Sequence, residues 1–371
     1  MKIIVEKSAL FKALSHVQSV VERRTTIPIL SNVLIKATEA GLKLNATDMD
    51  LEIIETVMSE VDTVGSTTVP AHTIYDIIRK LPDGSQIELS YDGEAQMILL
   101  SGRSKFKLPC LPVADFPALA EDDFTHNFSV SSKDLRLLID RTRFAISTEE
   151  TRYYLNGIYF HQASSENISV LRSVATDGHR MARVEIPLPE GAAGMPGVIV
   201  PRKAVNEIRK LIDEADQEID IAMSSSKICF SLSGTTLTSK LIDGTFPDYD
   251  RVIPTNNDKV LETDCKILGS AIDRVSAISA EKSRSIKLNI EKGLVVLSAT
   301  SPDSGSASEE VEVSYDETQL EIGFNSRYLL DIMQQIEGDS VRLTLADAAS
   351  PTIISDVSDG SAVYVLMPMR V

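Results

Sequence analysis

Apolar residues at helical spacing mark three stretches of similar length along the chain. Residues 8–21 carry Leu10, Leu14 and Val17 at intervals of four and three, which is the spacing of one buried helix face. The same pattern recurs over residues 132–146 and 266–278. We therefore predict an amphipathic helix near the start of each third of the chain.

Short alternating segments around turn residues predict β-hairpins. Residues 33–36 and 42–45 flank Gly41, and glycine supplies the positive φ that a tight hairpin needs. The same arrangement occurs at 286–290 with 294–298, and at 87–90 with 97–100. A second helix in each third is predicted to start at Pro70, Pro201 or Asn325, because proline suits a first helical turn and asparagine a cap.

The chain ends on an apolar stretch instead of a polar tail. Residues 362–366 are predicted to form a final edge strand. Pro368 has no N–H to donate and should stop the ladder there. Met367 and Met369 are then free to contact something other than the sheet.

Landmarks along the chain recur with one long period. Ala-Thr-Asp closes a strand at 46–48 and at 175–177, and Ala-Thr-Ser does so at 299–301. Copies about 125–130 residues apart indicate duplicated domains, since solenoid repeats are far shorter. We predict an α+β fold of three tandem, similar domains over 1–125, 126–254 and 255–371, each with two helices packed on antiparallel sheets.

Composition limits the setting of the protein. The chain has 371 residues, of which 43% are hydrophobic, and no apolar run of 18 residues that would predict a membrane-spanning helix. The N-terminus lacks the apolar region of a signal peptide. Cys110, Cys229 and Cys265 are too far apart for a disulfide framework or a zinc site. A reducing, cytoplasmic location is expected.

The formal charge of −17 argues against a nucleic-acid partner, because affinity for DNA comes largely from Lys and Arg on phosphates. Binding depends, however, on where the cations lie. Several predicted helices are basic, as at Arg79, Lys80, Arg209 and Lys210, whereas acids concentrate in loops and strands. A solvated helix face explains any one of these residues; their recurrence favours a shared basic surface.

Asp177 and His179 form the arrangement most typical of an enzyme, since they could act as an acid/base pair beside a nucleophile. The same Ala-Thr-Asp occurs at 46–48 without histidine. A motif tied to the repeat is better explained as a turn whose aspartate accepts backbone N–H bonds. Asp48 and Asp50 alone are weak evidence for a metal. The sequence thus leaves a hydrolase or isomerase as one alternative, and a scaffold that binds only proteins as another.

Five motifs in order along the whole chain resemble the beta sliding clamp family of bacterial DNA polymerase III. They are RYYLNG at 152–157, ATDGHR at 175–180, VPRK at 200–203, SKLIDGTFPDY at 239–249 and YVLMPMR at 364–370. The resemblance implies a non-catalytic processivity factor without cofactor or metal. It also implies a head-to-tail homodimer whose six domains close around duplex DNA, with helices lining the hole.

The resemblance assigns two sets of residues to the ring itself. A DNA-facing set would attract phosphates without reading bases: Arg24, Arg79, Lys80, Arg141, Tyr153, Tyr154, Arg202, Lys203, Arg209 and Lys210. A dimer interface would join Arg103, Lys105, Phe106 and Leu108 of one copy to Ala277, Ile278, Glu309 and Glu310 of the other. The expected partners are therefore double-stranded DNA and a second copy of the chain, with no membrane.

The resemblance also implies a cleft for short linear motifs of the polymerase III catalytic subunit, the clamp loader and other clamp-binding proteins. Its residues would be Arg152, Leu155, Thr176, Gly178, His179, Arg180, Met181, Pro247, Arg251, Val252, Asn325, Tyr328, Val365, Leu366, Met367, Pro368, Met369 and Arg370. Methionine adapts to several partner side chains, and we expect Met367 and Met369 to wall the pocket. Met181, Ser283 and Pro351 depart from the family pattern, which leaves the preferred motif open.

Overall fold

A computed structural model describes residues 1–23, 25–117, 119, 123–212, 217–279 and 284–370. The predictions that concern Arg24 and Ser283 lie outside these residues. Within them, no helix combines the length and apolar character that crossing a membrane would require.

The α-helices of the described residues follow the predicted positions. They are α1 (Lys7–Val20), α2 (Ala71–Lys80), α3 (Ser132–Arg143), α4 (Arg202–Ile212), α5 (Cys265–Ser276) and α6 (Ser326–Met333). Asn325 caps α6 as predicted, because its side chain accepts hydrogen bonds from the N–H groups of Arg327 and Tyr328. Pro70 and Pro201 instead end strands, and their helices begin one residue later.

The strands cover the remaining core. In the first third they are β1 (Lys2–Glu6), β2 (Asn32–Thr38), β3 (Gly41–Thr47), β4 (Leu51–Val57), β5 (Glu60–Thr63), β6 (Gly65–Pro70), β7 (Gln86–Ser90), β8 (Gln96–Ser101) and β9 (Ser104–Pro109). In the middle they are β10 (His126–Ser131), β11 (Gly157–Ser165), β12 (Ile168–Thr176), β13 (Arg180–Pro187), β14 (Val198–Pro201), β15 (Glu218–Met223), β16 (Lys227–Leu232) and β17 (Thr235–Lys240). In the last third they are β18 (Lys259–Asp264), β19 (Ser285–Glu291), β20 (Leu294–Ser301), β21 (Gly305–Glu312), β22 (Leu320–Asn325), β23 (Ser340–Leu345), β24 (Thr352–Asp356) and β25 (Ala362–Leu366).

The first of two compact units comprises Met1–Lys133, Pro189–Ala192 and Lys203–Leu241. It contains a five-stranded sheet in the order β5-β1-β7-β8-β9 and an eight-stranded sheet in the order β10-β15-β16-β17-β4-β3-β2-β6. The pairing of β17 with β4 joins the middle of the chain to its first third. Helix α1 packs on this unit with Leu10, Leu14 and Val17 fully buried, as their spacing predicts.

The second unit comprises Asp134–Leu188, Ala193–Arg202 and Ile242–Val371. Its eight-stranded sheet runs β14-β11-β12-β13-β25-β24-β23-β18, and its four-stranded sheet runs β21-β20-β19-β22. The pairing of β13 with β25 joins the middle of the chain to its last third. Each sheet is antiparallel, as predicted from the alternating segments.

The last strand corrects one prediction. Strand β25 has the predicted bounds, but it is not an edge strand, because β13 pairs with one side of it and β24 with the other. Tyr364, Val365 and Leu366 are consequently almost fully buried. An apolar run alone does not reveal the second partner strand, β13, which lies far away along the chain.

Candidate functional site

The repeated Ala-Thr-Asp motif forms the same turn in two copies. The Thr47 hydroxyl accepts from Met49 N and donates to the Leu51 carbonyl, and Asp48 Oδ1 accepts from Asp50 N and Leu51 N at 2.9 and 2.7 Å. This geometry confirms that the motif is a turn whose aspartate accepts backbone N–H bonds.

The second copy repeats these bonds around Thr176 and Asp177. The Thr176 hydroxyl accepts from Gly178 N at 3.1 Å and donates to the Arg180 carbonyl at 2.8 Å. Asp177 Oδ1 accepts from His179 N and Arg180 N at 2.9 and 3.0 Å. Asp177 is therefore engaged in holding its turn, and this weakens the case for Asp177 as a catalytic acid or base.

Each turn aspartate also binds a cation with its second oxygen. Asp48 Oδ2 accepts from the Lys203 ammonium, which donates further to the Val20 carbonyl at 3.1 Å. Asp177 Oδ2 accepts from Arg180 Nε at 3.1 Å. In the first unit the turn thus fixes the start of α4, and in the second unit it fixes the Arg180 side chain.

Arg180 is the most constrained cation of the predicted cleft set. Its Nη1 donates to Asp331 at 2.5 Å and its Nη2 to the Phe144 carbonyl at 2.7 Å. The guanidinium also lies over two rings, 4.3 Å from the centroid of Tyr328 and 5.1 Å from that of Phe144. Such a fully engaged guanidinium acts mainly as a support for its neighbours.

Tyr328 links this support to the exposed surface. Its ring stacks on His179 with a centroid distance of 6.2 Å and an interplanar angle of 24°. The cap at Asn325 fixes the first turn of α6, on which Tyr328 lies. His179 is exposed, so the Arg180–Tyr328–His179 stack runs from a buried cation to a surface ring.

The remaining cleft residues fall into a buried floor and an exposed rim, all within the second unit. Leu155, Met181 and Val365 belong to one core cluster and are at most 4% exposed. The exposed members are Gly178, His179, Pro247, Arg251, Val252, Met367 and Arg370, and the half-buried ones are Arg152, Thr176, Asn325, Tyr328, Pro368 and Met369. Leu366 is buried inside β25. Met181 is thus a floor residue, whereas Met367 lies at the surface.

The tail after β25 is held by its backbone. Met367 N donates to the His179 carbonyl at 2.9 Å, and Met369 N donates to the Gly323 carbonyl at 2.8 Å. Pro368 lies between these two bonds and cannot contribute one of its own. The ladder therefore continues one residue past β25, and the methionine side chains stay available.

Arg152 and Gly178 approach each other closely at the rim. Arg152 forms a two-point ion pair with Glu149, with distances of 2.8 and 2.6 Å. The hydrogen bond from Arg152 lowers the pKa of the Glu149 carboxyl below its ordinary value. A Cβ atom at Gly178 would lie 2.5 Å from Arg152 Nη1, and the φ of Gly178 is +87°.

Sequence reasoning missed several supporting residues. Phe246 and Tyr249 share the core cluster with Leu155 and Met181, and Asp331 accepts the bond from Arg180. Tyr249 is the last residue of one of the motifs that carry the family resemblance. The sequence does not predict that Tyr249 is buried beneath the rim, because an isolated tyrosine in a turn-rich stretch gives no periodic signal.

The predicted DNA-facing residues differ in their environments. Arg79, Lys80, Tyr153, Arg202 and Lys210 are exposed, and Tyr154, Lys203 and Arg209 are half-buried. Lys203 is held by Asp48 and lies 3.5 Å from Glu22, so its charge is largely neutralised. Arg79 binds Asp76 at 3.0 Å at the surface.

The environment of Arg141 does not fit the DNA-facing role predicted for it. It is only 5% exposed, and its Nη1 donates to Asp359 at 2.6 Å and to the Ser361 hydroxyl at 3.2 Å. A guanidinium that is buried against its own carboxylate has no free donor face for a phosphate. The basic side chain on α3 therefore stabilises the second unit instead.

Five of the eight predicted interface residues lie on β9 and β21, two strands that each pair on one side only within the described part of the chain. Arg103 immediately precedes β9, and Ala277 and Ile278 follow α5. Strand β9 ends the five-stranded sheet and β21 ends the four-stranded sheet. Arg103 and Lys105 are exposed and Phe106 is half-buried, whereas Leu108 is 4% exposed and faces its own core. Glu310 and Ala277 are exposed, Ile278 is half-buried, and Glu309 binds Arg274 at 2.5 and 3.0 Å.

Carboxylates in the described ranges do not gather with His or Cys into a group of three that could hold a metal ion. Asp50, one of the two carboxylates considered from the sequence, instead pairs with Lys240 at 3.0 Å. The described residues therefore give no support to a metal-dependent reaction at this turn.

Family models match the chain in three consecutive segments. They describe the DNA polymerase III beta subunit, with its N-terminal domain over 1–120, its central domain over 129–248 and its C-terminal domain over 250–370. The chain is 52% identical to the beta sliding clamp of Caulobacter vibrioides and 38% identical to that of Escherichia coli, covering 100% of both chains in each case.

Solved structures give the same result. A sliding clamp from Bartonella birtlesii bound to griselimycin superposes with a TM-score of 0.98 at 51% identity, with 100% of each chain covered. A Caulobacter crescentus beta sliding clamp with polyethylene glycol at a putative beta-motif tethering region has a TM-score of 0.98 at 52% identity, covering 100% of this chain and 99% of that one. A Pseudomonas aeruginosa clamp, also bound to griselimycin, has a TM-score of 0.95 at 39% identity, with 100% of each chain covered.

Proposed function

This chain belongs to the DNA polymerase III beta subunit family, the bacterial beta sliding clamps, and we propose from its residues how it carries out that function. It has three clamp domains and serves as a processivity factor for the polymerase. Our proposal covers the domain limits at 1–125, 126–254 and 255–371, the closure of the ring, the DNA-facing cations, the peptide cleft and the absence of catalysis. A cytoplasmic location is part of it, because three free cysteines suit a reducing compartment.

One observation carries the proposed ring closure: the same strand pairing occurs twice within the chain. Ile53 of β4 lies opposite Leu237 of β17, and Ala182 of β13 lies opposite Tyr364 of β25. All four side chains are at most 1% exposed. Strands β21 and β9 are the counterparts of β4 and β17 by hairpin register, yet each is an edge within the described residues.

The register of the third junction follows from the repeat. Thr47 pairs with Glu52, Thr176 with Met181 and Thr300 with Ser306. Ala307, the next residue along β21, is therefore the counterpart of Ile53 and Ala182. By the same reasoning, Phe106 is the counterpart of Leu237, because each is the third residue after its hairpin turn.

We therefore place Ala307 of one copy opposite Phe106 of a second copy, in a head-to-tail homodimer. Arg103 of the second copy then lies opposite Glu310, and Lys105 lies diagonal to it, which gives complementary charges at the rim. Phe106 and Ala307 are both half-buried in the single chain. A head-to-tail pair of copies makes this contact twice, once at each end of the chain. Two copies therefore close a ring and leave neither β9 nor β21 as an edge.

The proposed attraction to DNA depends on a few exposed cations. Arg79, Lys80, Arg202 and Lys210 are placed on α2 and α4 and reach solvent, and the half-buried Arg209 lies on the same helix. Contacts with phosphates carry no sequence information, which is the condition for sliding. The remaining charge of the protein is strongly negative, so DNA is repelled from other surfaces.

The proposed docking site for clamp-binding peptides is the rim above the core cluster in the second unit. His179, Val252 and Met367 are exposed there, and Leu155 and Met181 form the floor. Apolar anchors with a few polar groups suit short peptide motifs. We also propose that griselimycin binds this chain at the rim, since two relatives with closely similar folds carry it.

We propose that the chain catalyses no reaction of its own. Asp177 has both oxygens engaged, by two backbone N–H groups and by Arg180. His179 stacks on Tyr328, and its backbone N–H is one of the two that bind Asp177. An acid/base pair would need at least one of these residues to be free for proton transfer.

Retention on circular DNA tests the function. A bacterial clamp loader is used to load the protein on nicked circular DNA. The circles are then linearised in half of the samples. We expect gel filtration to show retention on circles and loss from linear ends, because a ring held by topology slides off an end. Equal retention on both forms would contradict encirclement, and a monomer in light scattering would contradict ring closure.

A further inference from the structure

An aromatic column anchors the segment that carries Pro247 and Val252. The column consists of Phe246, Tyr159, His161 and Tyr249. Phe246 stacks on Tyr159 at 4.8 Å and 8°, and Tyr159 stacks on His161 at 4.6 Å and 22°. The His161 ring lies 5.7 Å from that of Tyr249. Tyr249 then begins the short turn Tyr249–Val252, which ends in the exposed Val252.

A directed chain of hydrogen bonds runs through the column. Arg172 can only donate, and its Nη1 donates to the Tyr249 hydroxyl at 3.2 Å. His161 Nδ1 lies 2.9 Å from the Gln162 carbonyl, which can only accept, so Nδ1 carries the proton of a neutral ring. His161 Nε2, 2.9 Å from the Tyr249 oxygen, then accepts the tyrosine proton.

These bonds connect the segment to the sheet below it. The bonds from Arg251 to Asp248, and from Ile253 N to the Asp250 carbonyl, stay within the segment. Tyr249 instead reaches His161 on β11 and Arg172 on β12. The Tyr249 hydroxyl therefore fixes the position of the turn, and of Val252 at its end, relative to β11 and β12.

Charged groups around His161 make this bond sensitive to protonation. Arg172 is its cross-strand partner, Arg172 binds Glu185 at 2.7 Å, and Asp250 lies 3.8 Å from Arg172. Arg183 is a second cation that interacts with Arg172, Glu185, Tyr249 and Asp250. Burial lowers the pKa of His161, the Gln162 carbonyl and Asp250 oppose this effect, and Arg172 adds to it. His161 is thus neutral at neutral pH and gains a proton only below its usual range.

We infer that His161 and Tyr249 are positioning residues for the peptide cleft, and that protonation of His161 weakens peptide binding by breaking the bond from Tyr249. A protonated ring has no acceptor at Nε2, so the Tyr249 proton loses its partner, and the imidazolium N–H competes with Arg172 for the Tyr249 oxygen, which leaves the turn held less firmly. Neither residue touches the peptide in this account. The inference rests on the proposed docking site in the second unit.

Titration of griselimycin into the full-length dimer by calorimetry tests the inference. The parent is the unsubstituted chain, and every variant retains His179, so that the contribution of this exposed histidine is common to all the proteins compared. We expect the parent to bind about fivefold more weakly at pH 5 than at pH 8, the effect of one lost hydrogen bond. Tyr249→Phe and His161→Leu should bind about fivefold more weakly than the parent at pH 8 and should lose the fivefold change between pH 8 and pH 5.

His161→Gln separates this role from simple packing. The Gln oxygen can accept the Tyr249 proton but does not titrate, so we expect His161→Gln to bind at pH 5 as well as at pH 8 with the affinity that the parent has at pH 8. Parent affinity in Tyr249→Phe, or a pH profile of His161→Gln equal to that of the parent, would overturn the inference. If the parent itself fails to bind at pH 8, the docking site falls and the inference falls with it.

Discussion

The guanidinium of Arg180 lies 4.3 Å from the ring centroid of Tyr328. The Tyr328 ring in turn stacks on the ring of His179. Arg180 therefore supports a surface aromatic pair from below. Its side chain is 9% exposed and is bound by Asp177 and Asp331. A residue of the predicted cleft thus acts through its neighbours.

Arg180→Gln should weaken griselimycin binding and destabilise the protein. The change leaves Asp177 and Asp331 without a cation and removes the support of Tyr328, so we expect the free energy of unfolding to fall by about 3 kcal/mol. Urea unfolding measures this loss. Arg251→Gln is the matched control for stability, because Arg251 is 85% exposed and pairs with its neighbour Asp248 at the surface. A similar loss of unfolding free energy in that variant would contradict the supporting role of Arg180.

Gly178→Ala and Met49→Gly should change stability in opposite directions. Both residues occupy the same position of the repeated turn, with φ values of +87° and +81°. Alanine at 178 adds left-handed strain of about 1 kcal/mol and pushes against Arg152, whereas glycine at 49 relieves the strain of a methionine. Thermal unfolding of the two variants checks the signs, and destabilisation by both would show that the Met49 conformation is not strained.

The pairing of Arg141 with Asp359 should make stability depend on pH. Burial by itself raises the pKa of the Asp359 carboxyl, but the hydrogen bonds from Arg141 and Ser361 outweigh it and hold the pKa below its ordinary value. A carboxylate whose pKa is lowered by folding stabilises the fold at pH values above its unfolded pKa of about 3.9. This stabilisation is lost as the pH falls from there through the lower pKa of the folded state.

Arg141→Gln should therefore cost about 3 kcal/mol of unfolding free energy at pH 7, and this difference should shrink as the pH falls below about 4. Denaturant unfolding at several pH values measures it. Lys210→Gln serves as the positive control and should weaken salt-dependent binding to duplex DNA, whereas Arg141→Gln should leave that binding unchanged at low temperature. Weaker DNA binding by the folded Arg141 variant would show that Arg141 faces DNA after all.

Local patterns predicted local structure well. The spacing of Leu10, Leu14 and Val17 located α1 to within one residue at each end, and Asn325 caps α6 because an asparagine side chain can accept N–H bonds wherever a helix begins. The Ala-Thr-Asp turn was also predictable, since its hydrogen bonds connect residues only two to four apart.

Long-range partners were not predictable in the same way. Nothing near Arg141 in the chain shows that Asp359 will neutralise it, and its basic neighbours suggested a free surface. Likewise, the apolar run of β25 predicts a strand but not that β13 pairs with its second side. These contacts depend on how distant segments are brought together, which propensity and periodicity do not encode.

The register of the proposed dimer gives the sharpest test of ring closure. Lys240 N donates to the Asp50 carbonyl, and Met367 N donates to the His179 carbonyl. Counting from these bonds, Ile53–Leu237 and Ala182–Tyr364 are non-hydrogen-bonded pairs, whose Cα atoms approach to about 4.5 Å. The Phe106–Ala307 pair between copies should have the same spacing, which lies within disulfide range.

Phe106→Cys combined with Ala307→Cys, in a Cys110→Ser background, should form a covalent closed dimer under mild oxidation. Phe106→Cys with Glu309→Cys is the control, because a shift of two residues separates the Cα atoms by about 7–8 Å. Non-reducing electrophoresis compares the rates, and closed rings should then resist loss from nicked circles at high salt. Faster crosslinking of the 106–309 variant would mean that the third junction does not copy the register of the two inside the chain.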